Sequence, residues 1–346
     1  MTQDSFSLRF FTEEDSQPGS LGAERLAVIG YGNLGRALAL NLRDSLAGDE
    51  PGRDTAPVIV GNVPDEFAEE ARADGFEVLS IGEAVAAADI ALVLLPDEVI
   101  PEVFAAEIAP RLVPGAAIVF ASGYCLAYDL IEPPDGVDVL LLAPRMGGEL
   151  ARDRYLDRRG FFAYVSVERD ASGRAWERLL GVCDATGVLR SGALELDAQR
   201  EATLDLLVEQ TMGAVIGVAI MNAFNLGVEA GIPPEAMVLE MYMSGEMETV
   251  FGAFREKGFY RASYTHGPTA LYGGYVRTME LIQSNLYGKF LETLEDIQSG
   301  GFARQFQAER EAGYPTLTQA QAMSSEESPI TQPMVEAERN VRKVLK

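Results

Sequence analysis

The chain predicts an α/β fold with a doubly wound parallel sheet, followed by an all-α domain. Three observations predict it. Leu26 to Ile29 form a short apolar run that leads into Gly30, Gly32 and Gly35 and then into a helical pattern from Arg36 to Arg43. From there to about residue 194, apolar runs of strand length alternate with helical patterns. Beyond residue 195 the alternation stops and helical periodicity alone remains. Strand–helix alternation implies parallel strands, and right-handed crossovers put helices on both faces of such a sheet.

Taken in order, residues 1–24 read as a loose polar lead-in. Strands are expected over 25–29, 57–60, 90–95, 117–121, 137–142 and 163–167. Helices are expected between them over 65–74, 82–88, 101–112 and 172–186. Residues 44–57, rich in Asp, Gly and Pro, read as a surface loop. In the second half, 201–231, 234–257, 272–296 and 302–312 have helical spacing. The expected domains are 25–194 and 195–322, with a polar, partly packed tail over 323–346.

The 346 residues are 47% hydrophobic and have a formal net charge of −25, with acids spread along the chain. A surface of that sign repels nucleic acid and anionic membranes, so neither is expected as a partner. Cys125 and Cys183 lack metal-ligand or C-x-x-C spacing and read as free thiols of a reducing compartment, the cytoplasm. The polar, acidic start is unlike a secretory leader. His266 is the only histidine, which argues against His-based triads and His-rich metal sites. Residues 211–228 lack any charge and reach the lower length of a membrane span. Asn222, Asn225 and several glycines within the stretch, with Asp205 and Glu209 before it, favour a buried helix at the centre of the helical domain.

The glycines at 30, 32 and 35 have G-x-G-x-x-G spacing between a strand and a helix, the arrangement that cradles a dinucleotide. Gly30 permits a sharp turn, Gly32 lets the backbone approach a pyrophosphate, and Gly35 lets strand and helix pack closely. The helix N-terminus then offers unpaired N–H groups to the phosphates. Residues 25–194 are thus expected to form a Rossmann-type domain for NADH or NADPH. Tyr31, Asn33 and Leu34 in the turn, with Pro96, Asp97 and Gly148, are the other expected cofactor contacts. In this fold the loop after the second strand, Gly61 to Glu66, meets the adenosine ribose. Asp65 and Glu66 there can accept bonds from ribose hydroxyls and repel a 2′-phosphate, and no basic residue lies in the loop. NADH is therefore expected over NADPH, although the two acids could instead only cap the following helix.

Asp205 and Glu209 lie four apart on a helical pattern and share a face, among Leu204, Leu206, Leu207 and Val208. Two acids in apolar surroundings need a cation, and oxygen-only ligation suits Mg²⁺. Glu240, Glu246 and Glu248 form a second acidic stretch.

With these residues in place, the chain resembles the ketol-acid reductoisomerases, also called acetohydroxy acid isomeroreductases, of the short bacterial class. The resemblance spans about residues 25–315. It rests on Val28-Ile-Gly-Tyr-Gly, Leu40-Asn-Leu-Arg-Asp-Ser, Leu94-Leu-Pro-Asp-Glu, Leu142-Ala-Pro, Asp170-Ala-Ser-Gly, Asp205 with Glu209-Gln210, Glu229-Ala-Gly, and Ile297-Gln-Ser-Gly-Gly-Phe-Ala-Arg. It implies an alkyl migration under Mg²⁺ activation followed by reduction with a nicotinamide cofactor. It also implies a knotted helical domain and a homodimer whose sites share residues across the interface. Asp205, Glu209 and Glu240 match three of four metal-binding acids.

The chain departs from that pattern at four places. The fourth acid falls on Ser244, and the catalytic His falls on Ser122 in Ala-Ser-Gly-Tyr. The Lys of Ala-Pro-Lys falls on Arg145, and a substrate-binding Ser falls on Thr265. His266 sits beside that last position without replacing the lost His. Isomerisation needs a proton removed and metal ions to hold charge on adjacent oxygens. Arg145 can clamp a carboxylate but does not readily release a proton. The first 256 residues contain no Lys, which removes a nearby substitute and argues against a β-hydroxyacid dehydrogenase. The expected activity is Mg²⁺-assisted reduction of a small-molecule 2-keto acid, or a related carbonyl or imine, with isomerisation weakened or lost. The alternatives are the full family activity in branched-chain amino-acid biosynthesis, with Glu246 or Glu248 supplying the missing acid, and a non-catalytic NADH-binding paralogue.

Overall fold

The computed structural model of the chain describes residues 8–17, 19–46, 58–263 and 267–345. It divides into two compact units, Met1–Leu204 and Asp205–Lys346.

The first unit is built on a nine-stranded sheet. The strands are β1 (Phe10–Phe11), β2 (Leu26–Ile29), β3 (Val58–Gly61), β4 (Glu77–Leu79), β5 (Ile90–Val93), β6 (Ala117–Phe120), β7 (Asp138–Pro144), β8 (Ala163–Arg169) and β9 (Ala193–Glu195), in spatial order β1-β9-β8-β7-β6-β5-β2-β3-β4. The order reverses beside β2, which pairs with β3 on one side and β5 on the other, both parallel. The carboxyl ends of strands at such a switch point form the crevice where α/β proteins bind ligands. Every residue of β2, β3, β5 and β6 is buried, as expected of strands covered on both faces.

The sheet is not wholly parallel. β7 and β8 pair antiparallel, Pro144 opposite Ala163, and β1 pairs antiparallel with β9. The cause is local. After Pro144 the chain makes only a short helical excursion and turns back through positive φ at Arg158 and Gly160. It re-joins the sheet at the end it left, so β8 must run the other way. The expected loose lead-in is also corrected. Phe11 and Leu21 are buried, and Phe11 packs on Trp176 with ring centroids 5.1 Å apart.

The helices of this unit are α1 (Asn33–Leu46), α2 (Glu66–Ala73), α3 (Ile81–Ala86), α4 (Ile100–Val103), α5 (Tyr124–Ala127), α6 (Gly148–Leu156) and α7 (Ala175–Thr186), with the start of α8 (Ala198–Val208), which continues past the boundary at Leu204. The run expected over 101–112 is one short α turn, a π turn at Phe104–Ile108 and a 3-10 turn at Ala109–Arg111. Pro110 cannot donate a backbone bond there.

The second unit is all helical: α9 (Ala214–Glu229), α10 (Pro234–Val238), α11 (Glu246–Lys257), α12 (Phe259–Ser263), α13 (Pro268–Ile282), α14 (Leu286–Gln298), α15 (Gly301–Glu311), α16 (Pro315–Ser324) and α17 (Gln332–Arg342). Its buried cluster is small and joins Phe224 and Val238 to Ala337 and Val341 of the chain's last helix. The expected buried helix is not buried within one chain. Ala198–Glu229 is one 32-residue helix, long and apolar enough to cross a membrane by length and composition alone. Of the α9 residues only Phe224 is buried, while Val218 and Met221 are exposed.

Candidate functional site

The glycine turn has the expected strand–turn–helix geometry, and each glycine has a separate reason. Gly30 adopts φ 95°, and a Cβ there would lie 2.8 Å from the Leu94 carbonyl oxygen. A Cβ at Gly35 would lie 2.1 Å from the Gly30 carbonyl oxygen, so no larger residue fits under the turn. A Cβ at Gly32 meets nothing within 4 Å, because it faces the open cleft. The first N–H groups of α1 have no intrahelical partner and are available to an anion. This is the turn geometry that, in dinucleotide-binding folds, cradles a pyrophosphate.

The turn is braced from two sides. The Tyr31 N–H donates to Asn62 Oδ1 at 3.1 Å, and Asn62 Nδ2 donates to Asp65 Oδ1 at 2.8 Å. The Tyr31 ring is buried against Phe76, and its hydroxyl donates to Asp74 at 2.9 Å. Burial pushes the Tyr31 phenol well above its ordinary range, and the bond to Asp74 adds to the effect.

A cleft of about 660 Å³ opens above the switch point. Gly30, Tyr31, Gly32, Asn33 and Leu34 line one wall, and Pro96, Asp97 and Ser122 line another. Asp65 also lines this cleft. Asp65 is also the N-cap of α2, accepting the Ala68 N–H at 3.0 Å. Glu66 starts α2 and does not line this cleft. Gly148 lies in an adjoining cleft, where a Cβ would come 2.0 Å from the Asn33 carbonyl oxygen.

The ends of β6 and β7 meet α8 through one acid that the sequence reading passed over. Glu201, 2% exposed, accepts the Gly123 N–H at 2.8 Å and pairs with Arg145 Nη1 at 2.8 Å. The Arg145 guanidinium also stands 5.4 Å from the Tyr164 ring centroid. Ser122 Oγ faces Asp97 Oδ2 at 3.4 Å and accepts the Tyr124 N–H at 3.2 Å. Gly123 is needed here, because a Cβ would lie 2.3 Å from the Ala198 carbonyl oxygen. The available signal for Glu201 was its position one helical turn before Asp205.

Asp205 lies on α8, and Glu209 opens a π turn over Glu209–Gly213. Glu240 lies in a second π turn, Leu239–Met243, with Ser244 directly after it. Such turns concentrate at functional sites. Asp205 and Glu209, one turn apart, suit a Mg²⁺ that keeps waters in its remaining positions. Among the described residues no three Asp, Glu, His or Cys side chains converge, so Glu240 does not join that pair within one chain. Thr265 and His266 lie outside the described residues. Cys125 and Cys183 are buried free thiols, and burial pushes both well above the ordinary thiol range.

A glycine turn between strand and helix and a cleft at the switch point fit an NAD(P)H-dependent oxidoreductase of the Rossmann type. Residues 20–192 match the family model "Acetohydroxy acid isomeroreductase, NADPH-binding domain", and residues 199–346 match "Ketol-acid reductoisomerase, C-terminal domain". The chain is 35% identical over 312 residues to a ketol-acid reductoisomerase (NADP(+)) of Caldivirga maquilingensis, covering 90% of this chain and 92% of the relative. It is also 35% identical over 312 residues to the enzyme of that name from Pyrobaculum arsenaticum, covering 89% and 92%. Among solved structures it is similar to an NADH-preferring ketol-acid reductoisomerase from an uncultured archean. The TM-score is 0.87 and the identity 30%, over 97% of this chain and 99% of that one. The chain belongs to the ketol-acid reductoisomerase family.

Proposed function

We propose that the protein is a cytoplasmic, homodimeric, NADH-dependent reductase of 2-keto acids or related carbonyl or imine groups, with the family's isomerisation step weakened or lost. The observation behind this reading is the Arg145–Glu201 pair. Where the resemblance expects a Lys there is a guanidinium, bonded to a buried carboxylate at 2.8 Å. A guanidinium so held can bind a substrate carboxylate in bidentate fashion, and guanidinium groups do not serve as proton shuttles. Glu201 orients it. Ser122, against Asp97, presents a hydroxyl where the family has a group that titrates near neutrality.

Asp205 and Glu209 would hold a Mg²⁺, which would supply Lewis-acid polarisation of a carbonyl, and a bound nicotinamide would supply the hydride. Asp65 lines the cleft, and a carboxylate accepting ribose hydroxyls there would favour NADH, as does the preference of the similar archaeal structure. The names of the Caldivirga and Pyrobaculum relatives point to NADP(+) instead, so the preference needs its own measurement. The exposed apolar face of α9 supports a homodimer, whose partner would cover it and bring further acids such as Glu240 to the shared sites.

The test follows NADH oxidation with 2-acetolactate and, separately, with 3-hydroxy-3-methyl-2-oxobutanoate and other 2-keto acids, with and without Mg²⁺. Turnover of the keto acids with little turnover of 2-acetolactate is expected. Robust turnover of 2-acetolactate refutes the loss of isomerisation, and a clear NADPH preference refutes the ribose reading.

A further inference from the structure

Arg36 stands one residue beyond Gly35 in the first turn of α1, with its side chain 44% exposed. It lines a second cleft of about 560 Å³ that shares Gly32, Asn33 and Phe67 with the cofactor cleft. Among the described residues no Lys or Arg lines the cofactor cleft, and the adjoining cleft has Arg36 and Arg152. Arg152 is committed to Asn41 Oδ1, at 2.8 Å, and to Asp44.

Arg36 is held as firmly. Its Nε donates to Asp74 Oδ2 at 2.8 Å, its Nη2 to Asp74 Oδ1 at 3.3 Å, and its Nη1 meets Glu70 Oε1 at 2.9 Å. Asp74 is itself fixed, because the Tyr31 hydroxyl donates to its carboxylate and Arg43 Nη1 donates to its carbonyl at 2.7 Å. The Arg36 hydrogen bond holds the Asp74 carboxyl below the usual carboxylate range, and the Tyr31 bond acts in the same direction. Two carboxylates, Asp74 and Glu70, thus occupy the Arg36 guanidinium, while Arg43, the other cation near Asp74, pairs with Asp44 at 2.9 Å.

A free guanidinium beside the glycine turn has the fork geometry and permanent charge that bind a phosphate monoester. Clamped between two carboxylates, its fork is taken. We propose that Asp74 and Glu70 are specificity-determining residues that withhold Arg36 from the 2′-phosphate of NADPH. This rests on the NADH reading and extends it from Asp65 to α1 and the far end of α2.

The test compares the full chain with Glu70→Gln, with the Glu70→Gln/Asp74→Asn double variant, and with that double variant plus Arg36→Gln. Fluorescence titration with NADH and NADPH gives the ratio of the two Kd values, NADPH over NADH. The ratio should fall roughly tenfold in the double variant and return toward the parent value once Arg36 is removed. Glu70→Gln, at a partly exposed position, should move it the same way by less. Should Asp74→Asn disturb folding, that single variant decides. A ratio within about twofold of the parent, with NADH still bound, overturns the proposal, as does a fall that survives Arg36→Gln. A parent that prefers NADPH contradicts the NADH reading but leaves this comparison intact, because the comparison reads the change in ratio and its dependence on Arg36.

Discussion

Glu201 and Arg145 are joined at 2.8 Å, and the second oxygen of the same carboxylate takes the Gly123 N–H at 2.8 Å. One buried acid on α8 thus fixes both the loop after β6 and the side chain at the end of β7. Arg145 is positioned by the fold before any substrate arrives, which fits a carboxylate clamp better than a mobile proton carrier.

Removing the Glu201 charge tests that link. Glu201→Gln should cost about 1.5–3 kcal/mol in denaturant unfolding, because it weakens a charge-assisted bond at a buried position. It should also raise KM for the keto acid more than it lowers kcat, since it loosens a binding group. An unchanged unfolding midpoint with unchanged KM would contradict the positioning role.

The three glycines of the turn should separate stability from binding. Gly35→Ala forces a Cβ onto the Gly30 carbonyl and should destabilise the fold and abolish cofactor binding together. Gly32→Ala meets open space, so its unfolding free energy should stay within about 0.5 kcal/mol of the parent. Its NADH Kd should nonetheless rise at least roughly tenfold, because the new methyl occupies the pyrophosphate approach. Unimpaired NADH binding by Gly32→Ala would contradict the cradle.

The Arg36–Asp74 clamp has a definite pH signature. The folded-state pKa of Asp74 is depressed, first by Arg36. The stabilisation is therefore fully present above the unfolded carboxylate value of about 3.9 and is lost as pH falls through the lower folded value. The stability difference between parent and Asp74→Asn should be constant above about pH 5 and shrink below about pH 4. A difference that grows on acidification would contradict the assignment.

The uncovered face of α9 predicts an assembly. Val218 and Met221 are exposed in one chain on a helix of high apolarity. The parent should sediment as a dimer, and Val218→Asp/Met221→Glu should sediment as a monomer, since buried unpaired carboxylates oppose association. A monomeric parent would contradict the shared-site reading.

The strand–helix order, the glycine turn and the family were legible because buried strands and glycine spacing leave strong local patterns. β4 and β9, three residues each, are too short to show periodicity, and β1 has only two residues. The antiparallel β7–β8 pair follows from where the chain turns back after α6, which composition does not encode. Asp65 was singled out from its loop with helix capping as its alternative role, and the capping bond to the Ala68 N–H is the part that the structure shows. Glu201 was hidden because an acid on an amphipathic helix looks the same whether solvated or buried. The exposed state of α9 was misjudged because an apolar helix reads as buried without stating which chain covers it.

The most direct measurement follows the migrating carbon itself. The enzyme is incubated with 2-acetolactate labelled in its C2 methyl group, with NADH and Mg²⁺, and the rearranged dihydroxy acid is quantified by carbon NMR. Its formation should be at least ~100-fold slower than reduction of 3-hydroxy-3-methyl-2-oxobutanoate under the same conditions, the scale of losing a general acid–base group. Equal rates for the two substrates would contradict the account.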